Sequence, residues 1–463
     1  MTTPVSDPAS AQSVHRFPAE WCFAAAFSAI GLWIYFRTPL RWEDPEVTLY
    51  RNLGLAFFSG FAFMIPLTFG ESLLRGVPAN EHRTWMRLAG VIALALALGL
   101  LLRFEAPRST PLNRLLESAA LGTMFAAAAL TLFLPVAGLV RPRHVATTIA
   151  ESFGLWAPWL SYHVFAGYCL AATRLATPWV WDPVLLRMDL SLGFNASQIA
   201  HAWADATPWI HRLSVIAYGL LGLMIAGVIA RLQIAQARAQ ARRALLASFL
   251  VGVLGLGCYQ LVPAVRPIYA FPALYRSSDS PALRTEAAAT RERALAGPDR
   301  VPGPAETLRN VMPSLHVAFT LVALAAAWNW SRRFFWQCLP VGILQIVTTL
   351  LLGYHYLVDL LAAVPLAALC WWTADATVRG TRRAAEEPLP ALADRHSRRG
   401  AHAIWLGGSL VVSVGGLIAW AKLAPISALI AWPLAVVVVA APTWTCVRMA
   451  GQKVSSPHAG ASA

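Results

Sequence analysis

Apolar stretches of near-membrane length alternate with short polar breaks along almost the whole chain. Twelve stand out, at 20–37, 52–70, 87–103, 115–140, 147–172, 211–231, 244–262, 313–330, 334–352, 355–375, 402–421 and 425–447. An α-helix needs about 20 such residues to cross a hydrocarbon core of roughly 30 Å. The pattern predicts an all-α polytopic membrane protein with about 12 transmembrane helices. The fifth run is the most interrupted, by Glu151, Ser161 and His163. The first is read as an uncleaved span. Only Arg16 precedes it as a basic residue, and RTPLRWEDPE follows in place of a small-residue cleavage site.

Composition agrees with the pattern. The chain is 57% hydrophobic and 13% charged, against about 25% charged in soluble domains. A formal charge of +14 invites a nucleic-acid partner, but the arginines sit between apolar runs, where topology accounts for them and no nucleic acid is required. With a cytoplasmic N-terminus, the inside segments hold 20 of the 37 Lys and Arg. Seven of the remaining 17 lie in the long 263–312 segment, and long segments count for less in orientation. Both termini then face inward, in a bacterial inner or plasma membrane. The six cysteines are scattered and form no CxxC pair, so neither a metal site, a disulfide framework nor a cofactor is signalled. The 19 tryptophans read mostly as interface anchors.

Four regions follow: a four-span accessory domain at 1–145, a six-span core at 146–376, a basic cytoplasmic linker at 377–401, and a two-span hairpin and tail at 402–463. Within 173–210, SQIAHAWADATPWIHRL suggests a surface helix with interfacial tryptophans. Residues 263–312, punctuated by Pro and Gly, read as a loop over the active face.

The chemistry concentrates in 309–359. PSLH at 313–316 opens one apolar run, and GYHYLVD at 353–359 opens another, with an apolar hairpin tipped by SRR between them. Eighteen helical residues span roughly 27 Å, so two crossings return His355 to the face where His316 began. Asp359 follows His355 by four residues, one helical turn on the same side. A neutral imidazole held by a carboxylate can attack phosphorus, which makes Asp359 an orienter for His355. His316 can protonate the leaving oxygen and later deprotonate an incoming hydroxyl. Arg266 emerges on the same face, and a helix beginning at Pro313 offers unpaired N–H groups to an anion. Ser314 and Tyr354 flank the site as supporting residues. Arg309 is a candidate further cation, although a solvated loop charge is the favoured reading. Asn310 reads as a cap for the helix at Pro313. Asp182 and Asp189, in WDPVLLRMDLSLGF, read as interfacial or capping residues with an acceptor-binding role open. His163 reads as a packed histidine.

At these residues the sequence resembles the type 2 phosphatidic acid phosphatase superfamily, whose pattern is KxxxxxxRP, PSGH and SRxxxxxHxxxD. Arg266, Pro267, His316, His355 and Asp359 fall on that pattern. Tyr259 stands where the family has lysine, Leu315 where it has glycine, and Thr348 and Thr349 where it has serine and arginine. PSLH and HYxxD bring the chain closer to the inositolphosphotransferase branch, which includes fungal inositol phosphorylceramide synthase. The resemblance covers roughly 150–376. It implies a six-helix core with the site at the outer face, His355 as nucleophile, Asp359 as its orienter, His316 as acid/base and Arg266 as phosphate ligand.

The leading expectation is a lipid phosphotransferase. It takes a phospho-headgroup from a phospholipid or other lipid phosphate donor through a phosphohistidine, and passes it to a lipid or polyol hydroxyl. Bilayer lipids surround it. The missing clamp cations favour a phosphodiester donor over a more highly charged phosphomonoester. The alternative is a hydrolase of lipid phosphate or polyprenyl diphosphate. A transporter or scaffold is less expected, because transporters place charges at the midplane.

Overall fold

The computed structural model describes residues 19–38, 159, 162, 165–235, 237–276, 280–304, 307–386, 390–423 and 428–451. The runs at 52–70, 87–103 and 115–140, most of 147–172, and His163 lie outside the described residues, and with them nearly all of the expected accessory domain.

The described chain is almost entirely helical. α1 is Ala19–Arg37 and α2 covers 165–176. The next helices are α3, Asp182–Ser191; α4, Ala196–Ala206; α5, Pro208–Gly219; α6, Leu221–Ile234; and α7, Arg238–Leu261. Three non-spanning helices follow: α8, Pro267–Ala270; α9, Pro272–Tyr275; and α10, Pro281–Ala296. Then come α11, Leu315–Trp330; α12, Arg332–Leu351; α13, Leu357–Glu386; α14, Pro390–Leu423; and α15, Ala428–Gly451.

Several expectations change. Among the described residues three helices, α7, α12 and α13, are long and apolar enough to cross a membrane. Helices α5 and α6 add a fourth span if taken together, bent by 49°. The helices in the first, eighth, eleventh and twelfth apolar runs carry shorter apolar stretches, of 10–17 residues; four of the twelve expected runs lie wholly or mostly outside the described residues. Together these helices fit an integral membrane protein. The surface helix expected across 197–213 is instead two helices broken at Thr207, and the second is the first half of the bent span. The 263–312 segment is not a plain loop: it carries α8, α9 and α10, and Val301–Pro302 pairs antiparallel with Trp179–Val180. The basic linker is mostly helical, divided between the ends of α13 and α14.

Local sequence accounts for the turns. Ser331 closes α11 and caps α12, accepting from the Phe334 N–H at 3.4 Å, so that hairpin reverses over one residue. Asn195 caps α4 through the Gln198 N–H. At the centre of the bundle, α7 packs against α11 and α13, and α6 against α11. Two glycines of α7 make close approaches possible, Gly255 to α11 and Gly252 to Tyr162. A Cβ at Gly252 would fall 1.6 Å from the Tyr162 hydroxyl, and one at Gly255 would fall 2.2 Å from a Leu315 methyl. The large residue at 315, where the resembled pattern has glycine, is thus received by a glycine on the facing helix.

A second apolar cluster lies at the end of the bundle where α11 and α13 begin. It joins α3 to Tyr356 and Val358 and to Trp420, Ala431 and Ala435 of the C-terminal hairpin. The Trp420 indole N–H donates to Ser191 Oγ at 2.9 Å, and that of Trp432 to the Leu192 carbonyl at 3.2 Å. The hairpin is therefore docked on the end of α3.

Candidate active site

Two helices start side by side at this end of the bundle. α11 begins at Leu315, two residues later than expected. Ser314, not Asn310, is its N-cap, with Oγ accepting from the Val317 N–H at 3.4 Å. α13 begins at Leu357, so His355 precedes the helix and meets Asp359 through a turn. Gly353 makes the reversal between α12 and this turn at φ +64°, a conformation that favours glycine. The Ser314 N–H donates to the Asp359 carbonyl at 3.1 Å, which locks the two helix starts together.

α13 lacks an N-cap side chain of its own, because the preceding residue is Tyr356. Two carboxylates replace it. Asp359, at the third helical position, reaches back to the Tyr356 N–H at 2.8 Å. Asp189 of α3 accepts from the Leu357 and Val358 N–H groups at 2.8 and 3.0 Å. Asp182, at the other end of α3, accepts from the Tyr356 hydroxyl at 2.8 Å and from the Val265 N–H at 3.0 Å. α3 thus braces the residues beside both His355 and Arg266. Burial pushes both carboxyls up to about 7, against the opposing pull of those donors. The two aspartates of WDPVLLRMDLSLGF work as braces.

The His355 imidazole is buried above Asp359, with Nδ1 3.5 Å from Oδ2. That is an ion-pair distance, slightly too long for a hydrogen bond. Nδ1 of His355 and the other Asp359 oxygen, Oδ1, are both buried without a hydrogen-bond partner. Around them lie four half-buried residues: Tyr218, Arg266, His316 and Tyr354. Arg266 is within electrostatic reach of both histidines. Its guanidinium carbon sits 3.9 Å from the centre of the Tyr354 ring. The Ile268 N–H donates to the Gly353 carbonyl at 3.2 Å, which holds the Arg266 segment against the His355 turn.

The structure therefore brings His316, His355, Asp359, Arg266 and Tyr354 together, with Ser314 holding the helix start. Arg309 is engaged elsewhere. It is buried, and its guanidinium donates to the carbonyls of Thr177, Pro304 and Thr307 and to the Thr307 hydroxyl. It ties the returning 301–312 segment to the start of α3. The positions where the resembled pattern has further cations lie inside the core, with Tyr259 2% and Thr349 0% exposed. Sequence reasoning passed over Tyr218, which stacks on His316; its one signal is the glycine pair in YGLLGL, where the sixth apolar run breaks.

A pair of imidazoles, one backed by a carboxylate, with one arginine beside them is an arrangement that can support phosphoryl transfer. Residues 183–373 match the family model described as the PAP2 superfamily. The match runs from α3 through the apolar part of α13. The protein is accordingly an enzyme of the phosphatase and phosphotransferase type. No curated protein and no solved structure matches the chain.

Proposed function

We propose that this protein is a lipid phosphotransferase working through a phosphohistidine on His355. The observation that carries this reading is the asymmetry of the site. The His355–Asp359 pair and His316 are present, while Arg266 is the one arginine reaching both imidazoles among the described residues. A single cation suits the single negative charge of a phosphodiester better than the higher charge of a phosphomonoester.

Asp359 holds the Nδ1 proton of His355, and the distal nitrogen attacks phosphorus. Closing the 3.5 Å separation by a few tenths of an ångström makes this a hydrogen bond. The bond from phosphorus to the leaving oxygen breaks, and protonated His316 supplies that oxygen with its proton. In the second half His316 takes the proton of an acceptor hydroxyl. The hydroxyl oxygen attacks phosphorus, the P–N bond breaks and His355 is restored. Arg266 binds the non-bridging oxygens throughout.

The extracytoplasmic face is favoured by charge. Arg231, Arg238, Arg242, Arg332, Arg333 and Arg379 lie toward the far ends of the core helices from the site, as expected for a cytoplasmic boundary.

The test uses purified protein in lipid, supplied with radiolabelled phosphatidylinositol or phosphatidic acid, with and without a second lipid bearing a free hydroxyl. Transfer of the labelled headgroup to the acceptor is the expected product. Free phosphate or free headgroup phosphate as the sole product in both arms makes the enzyme a hydrolase.

A further inference from the structure

We propose that Tyr218 is a positioning residue for His316, and that the broken span on which it sits dictates the nitrogen at which His316 exchanges its proton. This rests on the reading of His316 as the acid/base. The span formed by α5 and α6 bends by 49° at Leu220. There the Leu220 N–H turns back to the Ile216 and Ala217 carbonyls at 3.2 and 3.0 Å. A helix that ends leaves carbonyls of its last turn without the regular backbone partner. In an apolar environment such groups must be satisfied from elsewhere.

Side chains of two neighbouring helices do this. Gln345 of α12 donates to the Ala217 carbonyl at 2.6 Å, a second donor beside the Leu220 N–H. His316 of α11 meets the Tyr218 carbonyl through Nε2 at 3.0 Å. A carbonyl oxygen can only accept, so Nε2 bears a proton whether the ring is neutral or charged. The proton that His316 gains and loses is therefore the one on Nδ1. A helix break thus sets the tautomer of a catalytic imidazole, a task more often given to a carboxylate.

The Tyr218 side chain adds a second restraint. Its ring stacks on the imidazole with centroids 3.7 Å apart and planes 13° from parallel. The carbonyl fixes the rotation of the imidazole, and the stack fixes its plane. The same ring makes a T-shaped contact with that of Tyr354, centroids 5.1 Å apart. Tyr354 in turn carries the Arg266 guanidinium on its face at 3.9 Å. An unbroken series of ring contacts therefore links the acid/base to the phosphate ligand. It holds the separation between the group that protonates the leaving oxygen and the group that grips the phosphorus oxygens.

The experiment compares wild-type protein in lipid with Tyr218→Leu, Tyr218→Phe and His316→Ala, using radiolabelled phosphatidylinositol as donor. Tyr218→Leu keeps the carbonyl and loses the stack. Its kcat is expected to fall roughly ten- to a hundredfold with KM changed less than about twofold, and the His316 limb of the pH–rate profile to move. Tyr218→Phe restores both. In parallel, nitrogen NMR of histidine-labelled wild-type protein, with the His316 signal assigned by its loss in His316→Ala, is expected to show the Nε2–H tautomer. That measurement needs no folded Tyr218 variant. A neutral Nδ1–H tautomer overturns the proposal. So does a Tyr218→Leu enzyme with wild-type kcat and pH profile beside an inactive His316→Ala, which leaves the acid/base reading standing. An active His316→Ala enzyme removes that reading and the proposal together. A Tyr218→Leu defect with an unmoved pH limb and no recovery in Tyr218→Phe marks Tyr218 as structural only.

Discussion

The two helix starts that form the site are built in opposite ways. α11 supplies its own cap: Ser314 stands one residue before the helix and accepts from Val317 three residues on. α13 starts behind a tyrosine and depends on Asp189, 168 residues away in sequence, for its first two N–H groups. His316 therefore sits on a locally specified element and is trimmed by the break at Leu220. His355 sits on a turn whose shape depends on α3. The geometry of His355 is thus a long-range property. Substitutions in α3, which belongs to none of the three motifs, act on the same turn as substitutions beside His355.

Four substitutions probe that contrast. The largest effect is expected at Asp359, which both caps α13 and faces His355. Asp359→Asn keeps an acceptor for the Tyr356 N–H but no longer holds the imidazole tautomer. Its kcat is expected to fall by about 10³-fold or more in the labelled-transfer assay, with the fold retained by thermal melting. Next is Asp189→Ala, which orphans two buried N–H groups at the start of α13. Loss of stability of about 2–3 kcal/mol is expected, together with loss of turnover, read by melting and kinetics on one sample. Wild-type rates in Asp189→Ala would break the long-range half of the comparison.

Gly255→Ala tests how α11 is seated. The new methyl group meets Leu315, next to His316, and about 1–3 kcal/mol of destabilisation is expected. Pairing it with Leu315→Ala recovers part of that loss, and a purely additive double mutant would deny the contact. The smallest effect is expected for Ser314→Ala, about 1 kcal/mol from the lost cap. If Ser314→Ala costs as much stability as Asp189→Ala, the local and long-range starts are not different in kind.

The same contrast explains what the sequence could reveal. Hairpin arithmetic over 313–352 correctly returns His355 to the face of His316, because helix rise and turn signals are local quantities. The four-residue spacing of His355 and Asp359 predicts a shared helical face, but the helix starts between them. Tyr356 gives no cap signal there, because the cap comes from Asp189. Arg309 looked like a replacement cation from its position before PSLH. Its partners, the carbonyls of Thr177, Pro304 and Thr307, follow from how the 301–312 segment returns beside Trp179–Val180, a strand pair that no periodicity announces. Tyr218 was missed for a similar reason. A tyrosine inside an apolar run carries no signal of its own until the break at Leu220 and the stack on His316 are seen.

The central claim is that His355 carries the phosphoryl group between donor and acceptor. Rapid quench of wild-type protein with labelled donor and no acceptor, followed by peptide mapping, tests it directly. The account predicts an acid-labile, base-stable adduct on the peptide containing His355. The adduct discharges when the acceptor lipid is added and is absent in His355→Ala. Turnover to product by His355→Ala, or an adduct on any other residue, would contradict it.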